Sequence, residues 1–140
     1  MTKISTYDYL LEHRVKPSVQ RLAVMEYLQQ HHTHPTADEI YVHLVNKIPT
    51  LSKTTVYNTL RLFAEHGAAL MLTIDEKKIC FDGVVKPHAH FMCRRCGRLK
   101  DVELPEGAGT LQLDGADFMV EETHVYYKGL CRSCQEQPQA

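Results

Sequence analysis

Residues 52–82 read SKTTVYNTLRLFAEHGAALMLTIDEKKICFD, and the spacing of apolar residues changes along this stretch. In its first half, apolar side chains recur at the helical positions i, i+4 and i+7, which are Val56, Leu60 and Phe63. Ser52 is a favourable N-cap, and Gly67 suits the position after a helix C-terminus. Residues 68–74 and 77–82 instead have the composition of two strands joined by a tight turn. The stretch therefore predicts a helix followed by a β-hairpin.

Three further helices are predicted upstream of this stretch. An amphipathic segment covers residues 7–12, and apolar residues return at helical spacing over residues 18–30. Thr36 and Glu39 form a capping box that opens the next helix. Helices followed by a two-stranded wing are the order of a winged helix-turn-helix, which we predict for residues 1–83.

A second, smaller domain is predicted for residues 88–140. Residues 84–87 have the character of a hinge, because Pro87 forces the residue before it into an extended conformation. A Gly-containing segment at 105–115 separates the strand-like runs. These runs cover residues 91–93, 99–104 and 118–127. The two halves together predict an α+β protein with a winged helix-turn-helix and a small C-terminal α/β domain.

The composition excludes several classes of protein. Of the 140 residues, 44% are hydrophobic and 24% are charged, which supplies a core and rules out a disordered chain. The longest apolar run, residues 68–72, is far shorter than the roughly 20 residues that span a bilayer. Because the N-terminus has no apolar signal segment, we expect a soluble, cytoplasmic protein without a membrane partner. Lys and Arg number 16 against 17 Asp and Glu, a balance that still permits a basic patch for DNA.

Four of the five cysteines form two Cys-x-x-Cys pairs, Cys93 with Cys96 and Cys131 with Cys134. In a reducing compartment such pairs point to a metal before disulfides. Each spacing lets two thiolates bind one ion, and four thiolates complete a tetrahedron around Zn²⁺. The pattern predicts a closed structural zinc site, with free thiols or a redox pair as the alternatives. The fifth cysteine, Cys80, is interpreted as a small buried apolar residue rather than a redox group.

His88 and His90 place two imidazoles on one face of an extended chain, directly before the first cysteine pair. A complete four-thiolate site has no room for them, so they either face solvent or bind a second metal. Imidazoles with carboxylates suit Fe²⁺, Mn²⁺, Zn²⁺ or Ni²⁺. The candidate partners are Asp82, Asp101 and His34. We expect the helices and loops to carry the remaining helical-domain histidines on their surfaces: His13, His31, His32, His43 and His66.

The helix over residues 52–66 also has a polar face, which is a candidate DNA-reading surface. Opposite its apolar stripe lie Thr54, Tyr57, Asn58 and Arg61. Hydroxyl, phenol and amide groups can contact base edges or thymine methyls, and Arg can neutralise phosphate. Residues 1–64 carry seven Lys and Arg against five Asp and Glu, so this half is only mildly basic. An ordinary solvated helix face is the alternative interpretation.

The order of these motifs resembles the ferric uptake regulator family of bacterial metal-responsive repressors across almost the whole chain. In the first domain, the matching landmarks are Arg14-Val15-Lys16-Pro17 with Gln20-Arg21, residues 34–41 (HPTADEIY) and residues 52–60 (SKTTVYNTL). After the wing, they are Phe81-Asp82, His88-x-His90, Cys93-x-x-Cys96-Gly97, Asp101 and Cys131-x-x-Cys134. The chain departs from the family's usual Thr-Pro-Gln-Arg by reading Ser18-Val19-Gln20-Arg21.

This resemblance implies a homodimer in which residues 88–140 dimerise and a regulatory metal near the hinge favours DNA binding to a palindromic operator. It places Zn²⁺ at the four paired cysteines and Fe²⁺ or Mn²⁺ at a regulatory site. The implied regulatory ligands are His34, Asp82, His88, His90 and Asp101. It further implies that Lys16 reaches the minor groove, Arg21 contacts the DNA backbone and Tyr57 contacts a base.

Two features of the chain resemble the family's peroxide-sensing branch. Asp82 and Asp101 stand where iron-uptake members tend to have Glu, and Ala89 stands where they often have an acidic residue between the histidines. We therefore predict a repressor that senses peroxide through iron-catalysed oxidation of a histidine ligand, with His34 and His88 as the targets. An iron- or zinc-uptake regulator of the same family is the alternative. A non-haem iron enzyme and a zinc-stabilised DNA-binding module without a regulatory metal are the other hypotheses, and we predict no enzymatic activity.

Overall fold

The structure is a computed structural model that describes residues 4–104 and 117–136. The chain divides into two compact units, residues 1–85 and 86–140. Their boundary falls within the segment 84–87 that the sequence marks as a hinge; its hinge role remains a prediction. The Gly-containing segment predicted at 105–115 lies outside the described residues.

The first unit begins with four helices, at the positions that the sequence predicts. They are α1 (Thr6–Glu12), α2 (Val19–Gln30), α3 (Ala37–Leu44) and α4 (Lys53–Glu65). Each follows a Ser or Thr N-cap whose hydroxyl oxygen accepts a backbone N–H three residues further on. After α4, Gly67 adopts a φ of 72°, the left-handed conformation that ends many helices and that glycine adopts without strain. Local capping chemistry therefore sets where these helices begin and end.

The core of the first unit lies under α4. Val56, Leu60 and Phe63 are fully buried, which confirms the apolar stripe predicted for this helix. They pack in one cluster with Leu28 of α2 and Ile40 of α3. Burying the stripe fixes the opposite face of α4 toward the outside of the unit.

A two-stranded antiparallel wing follows α4. Strand β1 (Leu70–Leu72) pairs with β2 (Cys80–Asp82), with Leu70 opposite Asp82. Both strands are shorter than the predicted runs 68–74 and 77–82. The first is shortened because the amide of Ala68 still bonds the carbonyl of Phe63 at the end of the helix. Helices followed by this hairpin confirm the winged helix-turn-helix.

The second unit contains a three-stranded sheet and a short helix. Its strands are β3 (Ala89–Cys93), β4 (Leu99–Val102) and β5 (Val125–Gly129), in the order β4-β3-β5. Strand β4 is antiparallel to β3, and β5 is parallel to it. Helix α5 (Arg132–Glu136) follows and is not among the predicted elements. Within the described residues, no helix is long and apolar enough to span a membrane.

Among the strands predicted for the second unit, the last differs most in extent from the structure. The composition of residues 118–127 predicts a strand, yet residues 118–124 have no regular structure and β5 begins only at Val125. Its partner explains this limit, because β3 starts at Ala89, opposite Val125, and ends at Cys93, opposite Gly129. The available hydrogen-bonding edge, rather than the β propensity of residues 118–124, determines the length of β5.

Candidate metal centres and nucleic-acid interface

The four paired cysteines lie together in the second unit. Their sulfur atoms are all within 4.8 Å of one another, and the Sγ atoms of Cys96 and Cys131 are 3.8 Å apart. A disulfide needs sulfurs about 2.05 Å apart, so this pair is not bonded. Four sulfurs placed tetrahedrally at about 2.3 Å from a central Zn²⁺ are about 3.8 Å apart. The quartet therefore has the composition and spacing of a tetrahedral thiolate zinc site.

Secondary structure positions each of the four sulfurs. Cys93 ends β3, and the chain then turns back through Gly97, whose φ of 76° is left-handed and whose amide bonds the Cys93 carbonyl. Cys131 directly precedes α5 and Cys134 lies within it, three residues apart on one helical face. The guanidinium of Arg95 donates to the Cys134 carbonyl at 3.1 Å. The sheet and α5 thus meet at the quartet.

The electrostatics of the quartet favour a cation. The Cys96 backbone N–H, donating to the sulfur, is the main reason why the pKa of Cys93 falls to about 5. The pKa of Cys131 is also lowered, chiefly by the backbone N–H of Cys134. Desolvation instead raises the pKa of Cys134 to about 12. Neighbouring thiolates repel one another, and a bound dication would offset this repulsion. The same dication would lower the pKa of the thiols that are still protonated, such as Cys134.

In the first unit, His34 and Asp82 lie side by side. Asp82 is 3% exposed and accepts the Val84 amide through Oδ1, while its Oδ2 is 3.6 Å from the Nε2 of His34. His34 is held in the left-handed conformation, with a φ of 57°. The following residue, Pro35, accepts the amide of Phe81 through its carbonyl, which ties the loop to β2 beside Asp82. This strained, tethered loop is the kind of backbone found at functional sites.

In the second unit, His88, His90 and Asp101 lie together. His90 and Asp101 are direct partners across the β3–β4 pair, which brings the two side chains to one face of the sheet. The Asp101 Oδ1 is 3.3 Å from the Nε2 of His88 and 3.3 Å from the Nε2 of His90. His90 is 2% exposed, which argues against the interpretation of two solvent-facing histidines.

The five predicted regulatory ligands therefore lie in two groups, one in each unit. Each group combines imidazole nitrogen with carboxylate oxygen, a donor set that suits Fe²⁺, Mn²⁺ or Zn²⁺ better than Ca²⁺ or Mg²⁺. Cys80 belongs to neither group; it is buried, and desolvation raises its pKa, as expected for an inert apolar thiol.

The outer face of α4 carries the predicted DNA-reading side chains. Thr54, Asn58 and Arg61 are exposed, and Tyr57 is partly buried. The Arg61 guanidinium lies 6.0 Å from the centroid of the Tyr57 ring, within cation–π range. This contact orients a positive charge beside a phenol on the exposed face.

Two further positions of the predicted interface are linked to each other. Lys16 is exposed, and its carbonyl accepts a hydrogen bond from the Arg21 guanidinium at 2.9 Å. Lys77 and Lys78 are not among the DNA-contact residues predicted from sequence, although two adjacent lysines in the predicted hairpin indicate a positively charged surface. They line an open groove with Tyr57, between the wing and the start of α3.

Comparisons with known proteins agree with this architecture. Residues 12–135 match the model of the Ferric uptake regulator family. The peroxide-responsive repressor PerR of Staphylococcus epidermidis is 38% identical over 125 residues, which cover 88% of this chain and 83% of that protein.

Solved structures show the same fold. The Helicobacter pylori ferric uptake regulator Fur aligns with a TM-score of 0.69 at 20% identity, covering 99% of this chain and 100% of that one. The Campylobacter jejuni peroxide stress regulator aligns with a TM-score of 0.63 at 25% identity, covering 91% and 94%.

Proteins of this kind are transcription regulators that bind DNA, form dimers and respond to metals; they are not enzymes. The winged helix, the thiolate quartet and the family match over residues 12–135 lead to one conclusion. The chain belongs to the Ferric uptake regulator family of metal-responsive transcription regulators.

Proposed function

We propose that the protein is a metal-dependent repressor that senses peroxide. In this proposal one regulatory Fe²⁺ or Mn²⁺ is bound by His34, Asp82, His88, His90 and Asp101, and the metal-loaded homodimer binds a palindromic operator. The observation that carries the proposal is that each ligand group pairs histidine with aspartate, at 3.6 Å in the first unit and 3.3 Å in the second. The peroxide-responsive repressors at 36–38% identity support the same assignment.

The cysteine quartet has a separate, structural role in this proposal. Zn²⁺ bound by Cys93, Cys96, Cys131 and Cys134 would occupy every donor of a closed tetrahedral site. Such a site joins the end of β3 to α5 and keeps the second unit folded as a dimerisation domain. Since zinc-bound thiolates are poor nucleophiles, we place peroxide sensing at the histidines rather than here.

The histidines are the proposed targets of oxidation. A bound Fe²⁺ would supply the electron that cleaves the O–O bond of hydrogen peroxide, whereas Mn²⁺ would bind without supplying it. One peroxide oxygen would end on a ring carbon of His34 or His88 in place of that carbon's hydrogen, and the other would leave as water, because the oxidant reacts where it forms. An oxidised imidazole is a weaker ligand, so metal is lost and repression ends. Asp82 and Asp101 would contribute short carboxylates that leave room for peroxide.

DNA recognition is proposed to divide between bases and phosphates. Tyr57, with Thr54 and Asn58, would face base edges in the major groove, because α4 exposes these polar groups beside one another. Arg61, oriented by the Tyr57 ring, and Arg21 would contact phosphates. Lys16, exposed next to Arg21, would extend into the minor groove.

The experiment that tests the proposal is a metal titration of zinc-loaded protein, monitored by binding to a palindromic operator. We expect Mn²⁺ to increase operator affinity in the parent, and His90→Ala to lose most of this increase while it keeps its zinc and its dimeric state. The control is His32→Ala, which removes an exposed histidine outside both ligand groups. Operator binding that is equally strong with and without Mn²⁺ would instead indicate a DNA-binding module without a regulatory metal.

A further inference from the structure

A cluster of aromatic rings lies at the end of α2 and on α3, and its residues belong to neither ligand group. The imidazole of His31 stacks on the Tyr27 ring, with centroids 4.1 Å apart and planes inclined by 16°. The His43 ring lies 4.9 Å from the Tyr27 ring and 5.6 Å from the His31 ring. Two imidazoles from different elements are thus held against one phenol.

The hydrogen bonding of His31 sets which ring nitrogen can bind a metal. Its Nδ1 is 3.0 Å from the Tyr27 carbonyl oxygen. Because a carbonyl oxygen can only accept, Nδ1 carries the proton, and the neutral ring has its lone pair on Nε2. This is the arrangement that orients metal-binding histidines in proteins, where the second nitrogen donates to a backbone carbonyl or a carboxylate. Stacking on Tyr27 fixes the plane of the same ring.

A third donor comes from the helix that carries His43. Glu39 lies four residues before His43 on α3, so the two side chains project from the same face of the helix. Both are exposed, which leaves their rotamers free to adjust. Burial raises the pKa of Tyr27, and the charge of Glu39 contributes to the same rise.

We propose that His31, His43 and Glu39 form an additional surface site for a borderline divalent transition metal such as Zn²⁺, Ni²⁺ or Cu²⁺. Two imidazoles and a carboxylate are a common donor set for these ions. A centroid separation of 5.6 Å is within reach of two rings that share one ion at about 2.0–2.1 Å from each nitrogen. The ligand atoms of the three side chains do not all lie within 4.8 Å of one another in the described part of the chain, so the exposed His43 and Glu39 would rotate to share the ion with His31.

Metal bound there would connect the end of α2 to α3 across the loop of residues 32–36. That loop contains His34 in its left-handed conformation. A metal that fixes both ends of the loop reduces the number of conformations open to it, and so favours the conformation in which His34 faces Asp82. The surface site would therefore restrict the conformations of His34 without supplying a ligand to the regulatory metal.

The test counts bound zinc by equilibrium dialysis and elemental analysis at saturating Zn²⁺. We expect the parent to bind one more equivalent per subunit than either His43→Ala or His31→Ala. The matched control is His32→Ala, which removes an exposed histidine from the same loop and leaves the ring cluster intact; it should bind as much zinc as the parent. Equal zinc content in the parent, His43→Ala and His31→Ala would overturn the proposal.

Two further variants, His43→Gln and His90→Ala, distinguish loss of the surface site from misfolding and from loss of the regulatory site. If His43→Ala folds poorly, His43→Gln removes the imidazole while keeping a longer polar side chain at this exposed position, and circular dichroism checks the fold. The variant His90→Ala separates this site from the proposed regulatory one, because it should lose the regulatory equivalent and retain the surface equivalent. Loss of zinc from His90→Ala alone would refute the surface site, and loss from His43→Ala alone would refute the regulatory site.

Discussion

At the scale of single residues, Asp101 contacts two histidine side chains at once. One of its oxygens lies 3.3 Å from each of two imidazole nitrogens, and its side chain is 38% exposed. The short side chain reaches both rings from the neighbouring strand because His90 is its direct cross-strand partner. A carboxylate in this position is close to two imidazoles yet still open to solvent, and the proposed sensing of a small oxidant needs that access.

Lengthening the side chain of Asp101 tests whether solvent access at this position is needed for peroxide sensing. We expect Asp101→Glu to bind Fe²⁺ and operator DNA but to lose most of its sensitivity to peroxide. The added methylene lets the carboxylate bind through both oxygens and fill the position that peroxide would use. The measurement is the fraction of operator binding that remains after mild peroxide treatment of the Fe²⁺ form. A variant as sensitive as the parent would show that the length of this side chain does not govern sensing.

At the scale of secondary-structure elements, α4 has one face that packs in the core and an opposite face that we propose for DNA recognition. Its buried stripe anchors the helix in the core, while Tyr57 and Arg61 face outward one turn apart. The two faces can therefore be altered independently.

Two substitutions on α4 should have different effects on DNA binding. Arg61→Ala should weaken binding to specific and nonspecific DNA alike, and lower the slope of log K against log salt by about 0.9 for each phosphate that the guanidinium no longer neutralises. Tyr57→Phe should leave that slope unchanged and alter the discrimination between operator sequences. Fluorescence anisotropy across a salt series measures both. The reverse pattern would mean that the phenol contacts phosphate and the guanidinium reads bases.

The helices are predictable from sequence because their signals are local. Ser18, Thr36 and Ser52 each cap the helix that follows, and Gly67 has the φ that its position requires. The strands are less predictable, since pairing depends on a partner distant in sequence. Residues 118–124 have strand-like composition but lie beyond the start of β3 and so remain unpaired with it.

The candidate metal ligands also differ in how far the sequence alone predicts them. Both cysteine pairs are identifiable from spacing alone, and the structure brings their four sulfurs together. Helix α5 escapes prediction because five residues are too few for a periodic signal, although Cys131-x-x-Cys134 is also a helical i, i+3 spacing. The contact between Asp101 and His90 depends on sheet register, so the sequence offers it only as a candidate.

At the scale of the whole molecule, the cysteine quartet is proposed to keep the C-terminal unit folded. This unit has a three-stranded sheet and one short helix within its described residues, which is little material for a hydrophobic core. Exposed apolar residues before and within β5, including Met119 at 82% and Tyr127 at 48%, are available for the dimer contact that the family uses. Zinc would compensate for the small core within each subunit.

Removing one zinc ligand should therefore disrupt dimerisation. We expect Cys134→Ser to lose zinc, to melt at a lower temperature and to sediment as a monomer or an unfolded chain. The control, Cys80→Ala, alters a buried cysteine outside the quartet and should keep both zinc and the dimer. A zinc-free Cys134→Ser protein that remains a dimer with an unchanged melting temperature would contradict the structural role.

The proposed peroxide response is tested most directly by mass spectrometry of the protein after mild peroxide treatment, with Fe²⁺ and Mn²⁺ forms compared. We predict that a peptide containing His34 or His88 gains the mass of one oxygen atom in the Fe²⁺ form and not in the Mn²⁺ form, together with loss of operator binding. Oxidation confined to cysteines, or equal in the two metal forms, would contradict peroxide sensing at the histidines and favour a metal-uptake regulator.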